Sequence, residues 1–472
     1  MISTLDIRIE GEPVDLNVGA AWELQLLNSM LNIDAPKGSR AIGITVPFTP
    51  KNTAFLGQIH HPQVGNTKRN FYTDIYLATT LIDMGYMYLK DAVNAYQFDF
   101  TSNIAEFFGA YQTRLLSELD LGSIPVPVYN DTLATLWQST NGCCFPTIKN
   151  PVFYEKNVPG TYDGFINKYT ASSYVSTSPK VPCFFMKHIL QKVGDLAGVS
   201  FAGEFWSDAR TAALLLYNTR EVGTAPAIER RLFMPEMTIG QLILGLRKTF
   251  NLRLSFDVYR RVLRMDYSKN VYNGACTFDL SSKARRPNGG SPFSSAGLEL
   301  SWTVDSGDQL NKDTFFLPYA TAVPVGGGQL QKVQSPFRSL MMDAGLPYTK
   351  QFGITADQGE KKFVPGLLYW KGVVGGVPLA SNTNGTTVLD WNHVNGLYAN
   401  FWQEEEAFRQ NAYKIQQRMA LNTYEVARVS SILRGESDEL PIFHHNGTNY
   451  LIDELIVPSN KPNLPQMTAW RL

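Results

Sequence analysis

"TIGQLILGLRKTFNLRLSFDVYRRVLRMD", residues 238–266, changes its apolar rhythm halfway along. Ile239, Leu242, Ile243, Leu246 and Phe250 recur at spacings of three and four, which places them in one stripe along a helix. Leu252, Leu254, Phe256 and Val258 instead alternate with polar residues, the period of a strand with one apolar face. Thr238 and Gln241 stand at the T-x-x-Q spacing of a capping box, so the predicted helix begins where its stripe begins. The extended run "RVLRMDYSKNV" follows. The stretch therefore predicts a helix laid over a hairpin, a small two-layer core that is a scaffold and requires no chemistry.

Residues 181–206, "VPCFFMKHILQKVGDLAGVSFAGEFW", follow the same plan. Phe185, Ile189, Val193 and Leu196 form a helical stripe, Gly198 stops it, and "VSFAGEFW" and "AALLLYNT" are predicted as extended partners. Two helix-on-hairpin units are thus expected, alike in plan and unlike in sequence.

Working outward, Leu5, Ile7 and Ile9 alternate before the turn-like "EGEP", "AIGITVPFT" is another extended run, and Gly85 in "LIDMGYMYL" marks a hairpin turn. Tyr96, Phe98 and Phe100 alternate into a helix predicted from the Asn103–Glu106 capping pair, with Ile104, Phe107, Phe108, Tyr111 and Leu115 as its stripe and Gly122 as its end. Residues 123–180 are rich in Pro, Asn, Ser, Thr and Tyr without a sustained period and read as a long insertion or loop. Beyond 273 the chain reads as loops and short strands. Near the C-terminus, Ile415, Gln417, Met419 and Leu421 alternate, Asn422 or Thr423 opens a helix, and Asn446–Gly447 turns a hairpin. The expected fold is a mixed α+β architecture dominated by β-structure. Its units are 1–122, a β-rich domain with a covering helix; 123–180, the insertion; 181–297, the helix-on-hairpin units; and 298–472, a second β-domain with long loops.

The 472 residues exceed one ordinary core. Charged residues, at 18%, fall below the roughly 25% usual for soluble domains, as in surfaces consumed by assembly. Lys plus Arg and Asp plus Glu both number 42, so no overall basic field exists to hold nucleic acid or anionic lipid, and no sequence-specific nucleic-acid binding is expected. Cys143, Cys144, Cys183 and Cys276 form no C-x-x-C pair, which fits a reducing compartment. The N-terminus has no signal-peptide pattern, and no stretch approaches the ~18 apolar residues needed to span a bilayer.

Chemical candidates are weak. His60–His61 and His444–His445 are adjacent pairs whose side chains diverge in a strand and lack a third ligand, so no metal site is expected. Cys143 and Cys144 lack the surroundings of a thiol nucleophile and are expected as packed thiols. Glu404, Glu405 and Glu406 could supply a glycosidase pair but read as a solvated charge run. Gly326–Gly328 lacks the Lys-Ser or Lys-Thr of a phosphate loop. A helix-turn-helix through 404–433, with Arg428 and Arg434 on phosphate, would need 411–421 to be helical. No catalytic, cofactor-binding or metal residue is expected, and no enzymatic activity.

The order of "GSRAIGITVPFTPKNTAFLG", the two helix-on-hairpin segments and the terminal "NYLIDELIV" hairpin resembles the tail-hub proteins of tailed bacteriophages, in the form found in phages of Bacteroidetes. The resemblance covers residues 1–122, 181–272 and 411–472. It implies a homotrimer at the distal end of the tail tube, in which each subunit carries two tube-like β-barrels, here about 1–122 and 298–472. Three subunits then offer six barrels to a sixfold tube and threefold symmetry to the tip. The implied partners are the tail tube or distal tail protein, the tape measure protein and tail spike or fibre proteins. The implied location is the virion tail tip or baseplate, with assembly in the host cytoplasm. The expectation from another class is a tail-tip cell-wall hydrolase or carbohydrate-binding adhesin.

Overall fold

The computed structural model describes residues 5–472 except 18, 20, 35, 37, 62, 65–67, 103–107, 110, 131–141, 156–157, 171–172, 277, 313–315, 326–327 and 356–362. Alternation in the first hundred residues makes strands: β1 (Leu5–Ile9), β2 (Glu23–Leu27), β3 (Ser39–Val46), β4 (Asn70–Leu77), β5 (Thr80–Asp91) and β6 (Tyr96–Ser102). They lie antiparallel in the order β1-β4-β5-β6-β3-β2. The hairpin expected at Gly85 is absent, because β5 runs straight through that residue and the chain reverses between Leu77 and Thr80. Gly85 serves a close approach instead: a Cβ there would sit 2.3 Å from the carbonyl oxygen of Thr101 on β6. Of the helix expected over 104–115, residues 103–107 and 110 lie outside the described residues. The stripe does not continue to its predicted end, since Leu115 makes a strand-like bridge to Thr238 and a short 3-10 turn spans Leu116–Glu118.

The middle of the chain holds α1 (Met186–Ala197), β7 (Ser200–Ala202), β8 (Leu214–Tyr217), α2 (Ile239–Phe250), β9 (Leu252–Asp257) and β10 (Val262–Tyr267). The stretch 238–266 folds as its pattern dictates. Thr238 Oγ1 accepts the Gln241 amide at 3.2 Å and Gln241 Oε1 accepts the Thr238 amide at 2.8 Å, so both arms of the capping box are made. All five stripe residues of α2 are buried, and Asn251, at φ 48°, ends the helix and turns the chain into β9.

The first unit departs from expectation. Its "GEFW" segment is helical at Glu204–Ser207, and β7 pairs in parallel with β10, making one three-stranded sheet β7-β10-β9 rather than a separate hairpin. β8 leaves for a six-stranded sheet, where it lies between the strands Cys183–Phe185 and Gly366–Val374. The reason is legible in its composition: Leu214, Leu215, Leu216 and Tyr217 are consecutive and all buried, which suits a central strand covered on both faces. Residues 123–180 also contribute more than loop. Cys143–Cys144 is a strand of that same sheet, and Phe145, Ile148 and Phe153 are core residues.

β11 (Ala284–Pro292), α3 (Gln403–Asn411), β12 (Tyr413–Met419), α4 (Thr423–Arg434), β13 (Ile442–His445), β14 (Thr448–Pro458) and β15 (Gln466–Arg471) complete the framework. Asn446 and Gly447, at φ 49° and 83°, turn the β13–β14 hairpin as the Asn-Gly pair predicts. β14, β15, β12 and β11 are antiparallel neighbours, and β14 pairs with β2 from Glu23–Pro458 to Leu27–Glu454. The two ends of the chain therefore share one continuous sheet, β1-β4-β5-β6-β3-β2-β14-β15-β12-β11. Among the described residues no strand pairing closes either half into a barrel. Nor do residues 298–411 join this sheet; their strands at Gly297–Trp302 and Gly366–Val374 belong to smaller sheets of the middle body. α4 covers the sheet, with Val426, Val429 and Leu433 in the same core as Ile7, Ile75 and Phe98.

Replacing Leu242 or Leu246 by Ala is expected to lower unfolding stability by about 2–5 kcal/mol each. Chemical denaturation measures this, and unchanged midpoints for both variants would mean that the α2 stripe is not a core.

Candidate functional site

The sheet join is held by polar groups as well as by its ladder. Arg434, at the end of α4, reaches the fully buried Asp83 of β5 (Nη1 to Oδ1 3.6 Å) and donates to Glu436 at 2.6 Å. Burial pushes both carboxyls up, and Arg434 opposes that shift. Ser430 Oγ donates to the carbonyl of Ile82, so the helix from the C-terminal half is pinned to a strand of the N-terminal half.

The helix-on-hairpin unit docks onto this body through two arginines. Arg247 of α2 places Nη2 2.8, 3.0 and 2.8 Å from the carbonyl oxygens of Ser29, Met30 and Asn32, just beyond β2. Arg253 of β9 donates to the carbonyl of Ile432 in the last turn of α4 at 2.8 Å. Burial lowers each guanidinium to about 10. The polar positions of β9 are thus an inner face: Arg253 and Ser255 are buried, and the alternation in the sequence separates two interfaces rather than core from solvent.

The chemical candidates resolve one by one. His60 and His61 do not diverge, because they lie in a turn rather than a strand and their rings stand 4.0 Å apart. His60 also stacks on Phe48 with its Nδ1 2.8 Å from Tyr96 Oη, while His444 Nδ1 lies 3.0 Å from Asn449 Oδ1. Among the described residues no group of three or more His, Cys, Asp and Glu is placed to hold a metal. Cys143, Cys144 and Cys183 are buried on neighbouring strands, and burial pushes all three thiols up, away from the reactive thiolate. The glutamate run is not a solvated face. Glu405 is buried against Arg409 at 2.7 Å and Tyr272, and Glu406 accepts hydroxyls from Tyr319, Thr321 and Tyr398. Those carboxylates are spent inside the fold, with Tyr272, Tyr319 and Thr321 arriving from distant sequence and Arg409 and Tyr398 from nearby. Gly326 and Gly327 lie outside the described residues. A helix-turn-helix is excluded because Tyr413–Met419 is a strand, and Arg428 is clamped by Glu439 at 2.8 and 2.6 Å.

Two clefts remain. The larger, about 830 Å³, runs along α2 between Leu244, Lys248, Val304 and Phe352. Beneath it Arg338 is buried and donates to Asp308 and Gln351, both at 2.5 Å. Burial pushes the Asp308 carboxyl up, and Arg338, Thr349 and two backbone amides outweigh it, leaving that carboxyl below its ordinary value. The second cleft, about 570 Å³, opens where the first turn of α1 faces the strand Gly366–Val374. Lys187, His188, Gln191, Trp370 and Lys371 line it, and among the described residues no Asp or Glu does. Burial, then Arg230 and Lys192, lower His188 to about 4, against the opposing charge of Asp195, so its imidazole is neutral at neutral pH. Sequence reading passed over these residues because Lys187 and Lys371 come from distant segments and neither belongs to a local motif.

These features define a β-dominated α+β protein built around internal docking joints, with no catalytic constellation assembled among the described residues. No family model matches the sequence, and no curated protein matches it. Among solved structures, the chain is similar to the 43 kDa tail protein of prophage MuSo2 from Shewanella oneidensis at 9% identity, covering 99% of this chain and 98% of that one, with a TM-score of 0.40. Prophage tail protein gp18 from Listeria monocytogenes EGD-e is similar at 9% identity over 99% of this chain and 94% of that one, TM-score 0.37. The tail protein from Neisseria meningitidis MC58 is similar at 6% identity over 100% and 96%, TM-score 0.36. Likenesses this distant assign neither fold nor function. Among the described residues no helix is long and apolar enough to cross a membrane.

Arg434→Leu leaves Asp83 buried without its cation and is expected to cost about 3–5 kcal/mol at neutral pH. A carboxyl raised above its unfolded value of about 3.9 favours the folded state in acid and loses that contribution as pH rises. The deficit of the variant should therefore shrink as pH falls toward about 4. Urea denaturation of both proteins across that range tests this, and a deficit independent of pH would rule it out.

Proposed function

We propose that this chain is a virion structural protein, the trimeric hub at the distal end of a phage tail tube, with no catalytic activity of its own. The observation that carries the reading is the β2–β14 join, by which one chain places two antiparallel half-sheets side by side. Rings of β-proteins commonly join neighbours by strand edges, and an edge join made within one polypeptide lets each subunit stand for two adjacent tube units. Three chains then present six such units, matching a sixfold tube while keeping threefold symmetry for the tip. In this reading residues 1–122 form one tube-like unit, the strands of 284–292 and 413–471 form the other, and the middle body is the spacer that carries spike or fibre. The sheet ends at β1, with its short partner Glu12–Pro13, and at β11, the edges available to neighbouring copies. The tail tube or distal tail protein, the tape measure protein and the spike or fibre proteins are the partners this arrangement would serve, in the virion and, during assembly, in the host cytoplasm. The sequence resemblance to tail hubs supports the same reading, as does a charge-poor composition of 18%.

Sedimentation velocity is expected to show three copies of the 52.8 kDa chain in one particle, and imaging of intact virions to place it on the tail axis. A compact monomer at high concentration, together with absence from purified particles, would end the proposal. Incubation with host peptidoglycan is expected to release neither reducing sugar nor peptides.

A further inference from the structure

We propose that the buried joint between α4 and β5 holds one proton at neutral pH, shared by Asp83 and Glu436 around the guanidinium of Arg434. The charge count carries the inference. Arg434 lies with Nη1 3.6 Å from Asp83 Oδ1 and Nη2 2.6 Å from Glu436 Oε2, so two carboxyls meet one cation. The Asp83 side chain is fully buried, and those of Arg434 and Glu436 are 7% and 20% exposed. With both acids ionised the cluster would keep one net negative charge out of water, a costly arrangement that a proton removes. Among the described residues neither carboxyl has a second ion-pair partner.

The surroundings do not supply the missing positive charge. Asp83 Oδ1 accepts the Met84 amide at 2.8 Å, and the Ser39 hydroxyl of β3 also bonds this carboxyl. Asp83 Oδ2 and Glu436 Oε1 are nevertheless buried without a partner, which penalises an ionised carboxylate more than a neutral acid. From β9 comes a further acid, Asp257, which faces Glu436 and is itself met by Arg260 at 3.7 Å. Arg253 of the same strand turns to the Ile432 carbonyl instead. Burial is the largest influence on both Asp83 and Glu436 and holds each above its ordinary value against Arg434. The backbone fixes the pair: Gly435, at φ 78°, ends α4 just before Glu436 and runs so close to β9 that a Cβ would lie 2.1 Å from Ser255 Oγ. The proton therefore sits where the N-terminal strands, α4 and the helix-on-hairpin unit meet. A carboxyl raised by folding stabilises the folded state in acid, and that contribution is lost as pH rises through the folded value, so this joint loosens on the alkaline side.

Infrared difference spectroscopy of the full-length protein at neutral pH is the test. The wild type is expected to show the C=O stretch of a protonated carboxyl that Asp83→Asn and Glu436→Gln both lack, because the acid left in either variant is matched one to one by Arg434 and ionises. The wild-type band is also expected to fade as the solution is made alkaline, a reading that needs no variant. Urea denaturation gives a second measure: relative to wild type, the folding equilibrium constant of Asp83→Asn should rise on the order of tenfold from about pH 5 to about pH 8. If one variant does not fold, as judged by circular dichroism, the other serves for both measurements. Absence of the band from the wild type, its persistence in alkali or in either folded variant, or a ratio that is the same at both pH values overturns the proposal.

Discussion

The antiparallel join of β2 to β14 is the constraint on which the layout of the molecule depends. Both strands would otherwise be sheet edges, each a row of unpaired amides and carbonyls open to any passing strand. Pairing them removes both hazards at once and fixes the two ends of the chain beside each other. Everything between must then leave the sheet after β6 and return from Phe278–Asp279 onward, through β11 and β12, which makes the middle of the chain an insertion between the halves of one sheet. α4 locks the arrangement, because it follows a C-terminal strand in sequence yet buries its apolar stripe partly on the N-terminal strands.

Polar residues mark each joint. Arg247 and Arg253 bind backbone carbonyls of the sheet body, Arg434 pairs with Asp83, and Arg338 and Arg409 are buried on carboxylates within the middle body. Buried ion pairs are poor sources of net stability, since desolvation offsets most of their attraction. Their geometric demand is another matter. An apolar contact of equal area tolerates sliding, whereas a guanidinium is satisfied only where several carbonyls converge, as at Ser29, Met30 and Asn32.

Legibility in the sequence followed period and capping. α2, β9, β10, α4 and the β13–β14 hairpin stand where stripes, capping boxes and Asn-Gly place them. What the sequence could not disclose were pairings between distant segments. β7 looked like half of a hairpin because local order suggests neighbours, yet its partner is β10. The glutamate run looked solvated because charge is exposed by default, yet Tyr319 and Thr321 reach Glu406 from far along the chain and Tyr398 joins them from the preceding turns. Residues 123–180 lack a period because their buried strands are two residues long, too short for any alternation to register. The second cleft was invisible for the same reason as the seam, since Lys187 and Lys371 meet only in three dimensions.

That cleft also qualifies what net charge can say. The chain carries 42 basic and 42 acidic residues, so at distances beyond a Debye length of about 8 Å it presents no field to steer a charged partner. Neutral totals, however, are sums over pairs, and ion pairs such as Lys51–Asp15 and Arg428–Glu439 lie away from this cleft. Where a carboxylate is missing, the local potential is set by the few cations that remain and by the helix terminus beside them. At the second cleft Lys187 and Lys371 come together from distant segments, so a chain of balanced total charge still gathers two cations on one wall.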